Sequence, residues 1–138
     1  MNKKIMTAVM AAMMTMGTMG STFAAGLGTI DISALLQSHP KFQQTVTTWQ
    51  KDVQKAQKDF QNEVKKTSDK KAQEALVQKY NAQLNKQRID LFSPLEKDIL
   101  EKTKQVKQEK NLDYIVLKGS VVDGQSQDIT ADVAAKLK

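Results

Sequence analysis

Side chains that could support catalysis or metal binding are sparse in this sequence. Its 138 residues include one histidine, His39, and no cysteine. No Ser/His/Asp set, phosphate-binding glycine loop or cluster of metal ligands can be assembled with a single imidazole. His39 stands directly before Pro40, where a packing or turn role is the simpler interpretation of a lone histidine. We therefore expect no enzymatic activity, no cofactor and no metal.

Lysine is the functional group that this sequence does concentrate. Residues 65–71 read KKTSDKK, in which four lysines surround one aspartate. Neighbouring ammonium groups repel one another, so the cluster has an electrostatic cost. Two interpretations remain open: the lysines keep an exposed turn soluble, or they attract acidic or anionic partners over about a Debye length, near 8 Å at physiological salt. The four residues are Lys65, Lys66, Lys70 and Lys71.

The first 24 residues have the pattern of a secretory signal peptide. A basic start, MNKK, precedes an apolar stretch, and Thr22 and Ala24 flank Phe23 at the spacing that signal peptidase recognises. The stretch is short and interrupted by threonine and glycine, which favours a cleaved signal over a membrane anchor. We therefore expect an exported protein whose mature chain begins near residue 25.

The middle of the chain, residues 41–110, has the pattern of two long helices. Apolar residues recur at steps of three and four on both sides of KKTSDKK, which is typical of a coiled-coil seam. A short polar turn between two such helices indicates an antiparallel helical hairpin, with Ser68 or Asp69 capping the second helix. We call residues 41–110 the arm and residues 65–71 its tip. The first seam is Leu35, His39, Phe42, Val46, Trp49, Val53, Ala56, Phe60 and Val64; the second is Val77, Tyr80, Leu84, Arg88, Leu91, Leu95, Ile99, Thr103 and Val106.

Two prolines interrupt this helical pattern. Folding the chain back at residues 67 and 68 places residue i beside about 135 − i, so that Pro40 and Pro94 lie at nearly the same height. Proline removes a helical hydrogen bond, so each is expected to break or kink its helix. The sequence Ser93-Pro94-Leu95-Glu96 even has the form of a capping box that would start a new helix. Two unrelated kinks and a hinge at the start of the arm both remain open.

The segments outside the arm, residues 25–40 and 111–138, are predicted to form short strands and a closing helix. The strand candidates are LGTIDI, LDYIVLK and SVV, and the helix would begin near Thr130. We call these segments the base and expect an α+β protein. The base is smaller than the roughly 55 to 65 residues of self-sufficient small domains, so it should assemble with other copies of the chain. A stripe on the returning helix, made of Ile89, Phe92, Leu95, Ile99 and Leu100, is expected to pack onto it.

The order of these features resembles the Skp (OmpH) family of periplasmic chaperones. The resemblance spans the mature chain: a short strand, a Leu-rich turn with His-Pro, a Lys/Gln-rich hairpin, and a proline midway along the returning helix. Its most specific part is residues 111–117, NLDYIVL, followed by DITADV at 128–133. The hairpin is shorter than in the best-known members.

This resemblance implies a periplasmic homotrimer in which three tentacle-like helical arms extend from a small β body and surround a cavity. It also implies an ATP-independent holdase whose partners are unfolded outer-membrane proteins, with anionic lipid or lipopolysaccharide as a further candidate. Residues expected to form the trimer body are Ile30, Ile32, Tyr114, Val116 and Val121.

Six seam residues are candidates for client contact, although packing within one arm is the simpler explanation for any one of them. Trp49 is the strongest candidate because a two-helix seam cannot fully cover it. The six are Val46, Trp49, Val53, Phe60, Tyr80 and Leu84.

Two other functions compete with this interpretation. Residues 41–110 carry 16 basic against 10 acidic side chains, and the pI is about 9.5, which would suit nucleic-acid binding. A secretion signal, a single arginine (Arg88) and a tip without aromatic residues all argue against it. A structural periplasmic coiled coil would explain the helices without any chaperone activity.

Overall fold

A computed structural model describes residues 26–137. The predicted signal peptide, residues 1–24, lies outside the described residues. Helices and a small parallel sheet make up the chain, which confirms the α+β prediction at this level. In chain order the elements are β1 (Leu27–Ile30), α1 (Ile32–Ser38), α2 (Phe42–Val64), α3 (Lys70–Glu109), β2 (Tyr114–Leu117), β3 (Gln127–Asp128) and α4 (Thr130–Lys136).

The sheet of the base has the strand order β2-β1-β3, and both pairings are parallel. The backbone carbonyl of Ile30 accepts from Lys118 N (2.8 Å), and that of Thr29 accepts from Ile129 N (2.9 Å). The first strand therefore lies at the centre, between two strands from the other end of the chain. Parallel neighbours require such long connections, and here the arm supplies one of them.

Two predicted strands differ from the observed ones. The segment predicted to extend to residue 32 ends at Ile30, because the Asp31 carboxylate accepts from Ala34 N (3.0 Å) and caps α1. SVV at 120–122 is not a strand: the chain turns before it at Gly119, whose φ is 89°, as expected, but SVV pairs with no other strand among residues 26–137. The third strand forms instead at Gln127–Asp128.

The core of the base combines residues from both ends of the chain with the last part of α3. Leu35 and Ile129 are fully buried within it. Of the stripe predicted to pack onto the base, Leu95 and Ile99 are buried and Phe92 is half-buried, but Ile89 and Leu100 are exposed, so that part of the prediction was wrong. The core cluster consists of Ile30, Leu35, Ile99, Val106, Ile129, Val133 and Leu137.

The two helices predicted on either side of KKTSDKK pack against each other. His39, just before α2, contacts Asp98 of α3, whereas Glu63, near the end of α2, contacts Lys79 of the same helix. The helices are therefore antiparallel. The predicted register placed Phe60 opposite residue 75, whereas it meets Tyr80, so in the outer part of the arm the prediction was wrong by five residues.

The ends of α3 are fixed by local sequence. Asp69, one of the two predicted candidates, is its N-cap, and its carboxylate accepts from Lys71 N (3.3 Å). At the other end Asn111 adopts φ 51°, while Leu112 N donates to the Lys107 carbonyl (3.0 Å). This is a Schellman-type ending with asparagine in the left-handed position, and it directs the chain into β2.

The two prolines do not behave alike. Pro40 lies in the turn between α1 and α2, whereas α3 continues without a break through Pro94. The expectation that Pro94 starts a new helix was wrong, because the surrounding turns keep their own hydrogen bonds. The expectation of equal height agrees with the structure, since both prolines line one groove of about 310 Å³.

Candidate functional site

The outer half of the arm is joined by an aromatic contact and a polar contact. The rings of Phe60 and Tyr80 meet edge to face, with centroids 5.7 Å apart and an interplanar angle of 79°. The Tyr80 hydroxyl donates to Glu63 Oε1 at 2.8 Å. Lys79 Nζ lies 3.3 Å from Glu63 Oε2 and 5.3 Å from the centre of the Tyr80 ring. One carboxylate of α2 is thus bound by two neighbouring residues of α3.

These contacts shift the pKa of both acidic groups. The hydrogen bond from Tyr80, and then the one from Lys79, lower the pKa of Glu63. The bond to Glu63, with smaller contributions from burial and from the nearby negative charge, raises the pKa of Tyr80 to about 12. At neutral pH the phenol therefore stays protonated and acts as a donor.

An apolar pocket of about 250 Å³ lies beside this contact, between α2 and α3. Phe60, Tyr80 and Leu84, three of the six candidate client-contact residues, line it. Val77, on the second seam, also lines it and is exposed. The pocket extends along the seam, so part of the apolar surface between the helices is open to solvent. Its other lining residues are Ala56, Gln57 and Asn81.

The remaining client-contact candidates lie nearer the base. Val46, Trp49 and Val53 are all half-buried on α2. Trp49 is not fully covered, in agreement with its size.

The four lysines of the tip are exposed. Lys65 and Lys66 follow α2, and Lys70 and Lys71 open α3. Among residues 26–137, none of these four ammonium groups forms an ion pair with a carboxylate. Gln73 Nε2 closes the turn by donating to the Thr67 carbonyl (3.0 Å). The tip is thus a fixed turn that presents uncompensated positive charge.

A second apolar surface is exposed on the base. Of the predicted trimer-body residues, Ile30 is buried, Val116 and Val121 are half-buried, and Ile32 and Tyr114 are exposed. Tyr114 is 66% exposed and Val122 fully exposed. Leu117 adds to the exposed apolar side chains of β2, which is an edge strand. Tyr114 and Leu117 are three positions apart on one strand, so apolar side chains are exposed on both faces of the sheet at this edge.

Sequence reasoning missed two polar contacts between helices. One is the Glu63–Tyr80 bond, and the other joins the His39 imidazole Nε2 to Asp98 Oδ2 at 3.0 Å. A seam tyrosine needs a partner for its hydroxyl, and this requirement could have directed attention to Glu63. The Asp98 contact depends on the inter-helix register, which the sequence did not specify.

The described residues contain neither a candidate metal site nor a helix that could span a membrane. Among residues 26–137, no group of three or more acidic, histidine or cysteine side chains could hold a metal ion. Within the same range no helix has the length and apolar composition needed to cross a membrane.

Comparison with protein-family models finds no match to this sequence, and comparison with curated proteins finds none either.

Proposed function

We propose that this protein is an ATP-independent periplasmic holdase that binds unfolded outer-membrane proteins and prevents their aggregation. The observation that carries the proposal is a long two-helix arm that begins beside a small base and ends in a tip with four unpaired lysines. The helix α3 has 40 residues, which corresponds to about 60 Å. The proposal includes neither enzymatic activity nor a cofactor.

The helical arm suits this task for a physical reason. An unfolded outer-membrane protein exposes apolar side chains and unpaired backbone, and an exposed strand edge would nucleate its aggregation. Helices satisfy their own backbone hydrogen bonds and offer no such edge. The partly open groove lined by Phe60, Tyr80 and Leu84 supplies apolar contact at intervals along the arm.

The proposal also includes assembly into a homotrimer through the base. The exposed Tyr114, Leu117 and Val122 support burial of this surface against other copies of the chain. The resemblance to the Skp family supplies the number three. Three arms extending from one base would then surround a common cavity, with three cationic tips at its open end.

A direct test is the aggregation of a client protein. The purified protein should suppress light scattering when an unfolded outer-membrane protein is diluted from urea, without added ATP. A structural coiled coil, the second candidate function, would leave the scattering unchanged. Unaltered scattering at several-fold molar excess would therefore reject the holdase proposal.

The role of the tip can be tested separately. The tip carries four lysines and Asp69, a net charge of +3. Changing all four lysines to glutamine should slow association with an acidic unfolded outer-membrane protein by about tenfold at low salt, while dissociation barely changes.

A matched variant controls for total charge. It replaces four exposed lysines of the helix bodies instead, and its association rate should remain closer to that of the unmodified protein. If the tip variant associates at the unmodified rate with the same salt dependence, the lysines serve solubility only. The control positions are Lys51, Lys58, Lys97 and Lys104.

A further inference from the structure

His39 occupies the junction of three helices. Its backbone N–H donates to the Leu36 carbonyl of α1 (3.1 Å), and its carbonyl accepts from Phe42 N at the start of α2 (2.9 Å). Its imidazole Nε2 contacts Asp98 of α3 at 3.0 Å. One residue therefore links the end of α1, the start of α2 and the middle of α3.

The hydrogen bonds of the ring specify its protonation. The backbone N–H of Lys41 lies 3.1 Å from Nδ1 and can only donate. Nδ1 must therefore offer its lone pair, so Nε2 carries the proton and donates to the Asp98 carboxylate. The side chain is only 6% exposed, and in this neutral form both of its nitrogens are satisfied.

Addition of a proton to Nδ1 is incompatible with this arrangement. Both ring nitrogens would then be donors, and the bond from Lys41 N would have to break. Lys41 and Asp98 are the charged residues that line the groove beside the ring. A cationic imidazole is attracted by Asp98 and repelled by the Lys41 ammonium group, so both charges favour separation of the ring from the Lys41 turn.

The lost bond is one of two that cross the turn between α1 and α2, and the other, from Phe42 N to the His39 carbonyl, remains. Pro40 has no backbone N–H, so the Lys41 N–H bond to the His39 ring is a main restraint on the turn between α1 and α2. Pro94, on the same groove, cannot donate a helical hydrogen bond either. A change at this turn therefore alters the direction in which α2 leaves the base.

We propose that His39 is a pH-sensitive switch at the start of the arm, in which protonation releases the Lys41 turn and widens the range of arm directions. Imidazole is the side chain that ordinarily changes charge between pH 5 and 8. The switch rests on the geometry of the junction and is independent of the proposed chaperone function.

The test follows the turn and the arm together between pH 8 and pH 5. NMR of the ¹⁵N-labelled protein should show the Nε2–H tautomer at pH 8. The hydrogen-exchange protection factor of the Lys41 amide, corrected for intrinsic pH dependence, should fall about five- to tenfold on acidification. Spin labels at S68C and A135C, diluted with unlabelled protein, should show a broader distance distribution at pH 5.

A variant at position 39 distinguishes the effect of protonating His39 from the effect of protonating other groups. In His39→Asn the side-chain oxygen can occupy the position of Nδ1 and accept from Lys41 N, but the amide does not titrate. Its Lys41 protection and its distance distribution should be the same at pH 8 and pH 5. Asp98→Asn, which retains an acceptor for Nε2–H, should keep the response at Lys41.

Three results would overturn the proposal. They are an Nδ1–H tautomer at pH 8, a pH response in His39→Asn equal to that of the unmodified protein, and loss of Lys41 protection without any change in the distances. The first and third are measured on the unmodified histidine, so they decide the matter even if a variant fails to fold.

Discussion

Tyr80 is the residue whose polar and apolar parts both join the two helices of the arm. Its ring packs against Phe60, and its hydroxyl donates to Glu63. A phenylalanine would keep the first contact and lose the second. The charge on Glu63 therefore depends on a hydroxyl group of the opposite helix, which makes the contact measurable by titration.

Tyr80→Phe should raise the pKa of Glu63 toward its ordinary value of 4.5, because the largest cause of the lowered pKa is removed. A lowered carboxyl pKa stabilises the fold above pH 4.5, and this contribution is lost as the pH falls through the folded value. The melting temperature of the variant should thus lie below that of the unmodified protein near neutrality, with a smaller difference in acid. NMR titration of the Glu63 carboxyl carbon and thermal melts at several pH values measure both effects.

The same contact can be tested at alkaline pH, where the stability that it contributes is lost as the pH rises rather than as it falls. The pKa of Tyr80 is raised from 10.0 to about 12, so its stabilisation is present below pH 10 and is lost as the pH rises through about 12. Tyr114→Phe, which alters the exposed tyrosine, is the control and should leave the Glu63 titration unchanged. An unaltered Glu63 pKa in Tyr80→Phe would contradict the assigned hydrogen bond.

Gln87 of α3 has a buried side-chain oxygen, Oε1, without a hydrogen-bond partner among the described residues. Gln87→Leu should therefore stabilise the fold by about 1 kcal/mol, because it removes an unsatisfied buried acceptor. Urea unfolding measures the change, and the exposed Gln83→Leu should shift stability by less than about 0.5 kcal/mol. A lower urea midpoint in Gln87→Leu would show that this amide has a partner or a required packing role.

At the level of helices and strands, the periodicity of apolar residues predicted the individual helices of the arm. It did not predict how elements that are distant in sequence pair with one another. Steps of three and four identified α2 and α3, and Asp69 identified the start of α3. The register could not be predicted, because it depends on how many residues the turn takes up. The third strand, Gln127–Asp128, is two polar residues at a sheet edge and has no apolar pattern to detect.

The same limit applied to the candidate site. The tip lysines could be located from sequence because they belong to one turn. The partners of Tyr80 and His39 lie on other helices, and only the observed register brings Glu63 and Asp98 to them. Ile89 and Leu100 were assigned to the base from the apolar stripe and the predicted register, but both side chains are exposed.

Pro94→Ala tests whether the continuous helix α3 still bends at this position. Alanine restores the donor that proline lacks, so α3 should be stabilised by about 1 to 3 kcal/mol. If Pro94 is part of a hinge, distances between a spin label at S68C on the tip and one at A135C on the base should become less spread, with the base intact. An unchanged distribution would mean that Pro94 has only a local effect.

At the level of the whole molecule, the base exposes apolar side chains that the single chain cannot cover. Tyr114 and Leu117 belong to β2, and Val122 lies in the loop that follows it. The arm exposes Val77, Ile89 and Leu100 one at a time along α3, which is ordinary for a soluble surface. Exposed apolar side chains on β2, an edge strand, are therefore the stronger indication of an interface between copies.

Analytical ultracentrifugation should detect a trimer at low micromolar concentration. Leu117→Lys should dissociate it, because a lysine at this edge strand would place a charge in the proposed interface. Ile89→Lys, on the exposed side of the arm, is the matched control and should remain trimeric. A stable folded monomer of the unmodified protein at that concentration would reject the assembly.

The central position of β1 has a consequence for the order of folding. This strand precedes the arm in the sequence, whereas its partners at Tyr114–Leu117 and Gln127–Asp128 follow the arm. The contacts between α2 and α3 are close in sequence at the tip, so they can form early, whereas the sheet must wait for the end of the chain. During folding, a chain whose arm has paired but whose last segments have not yet docked would therefore hold a first strand without a partner. Both edges of that strand stay open until β2 and β3 pair with it, and this intermediate is the form most prone to aggregate.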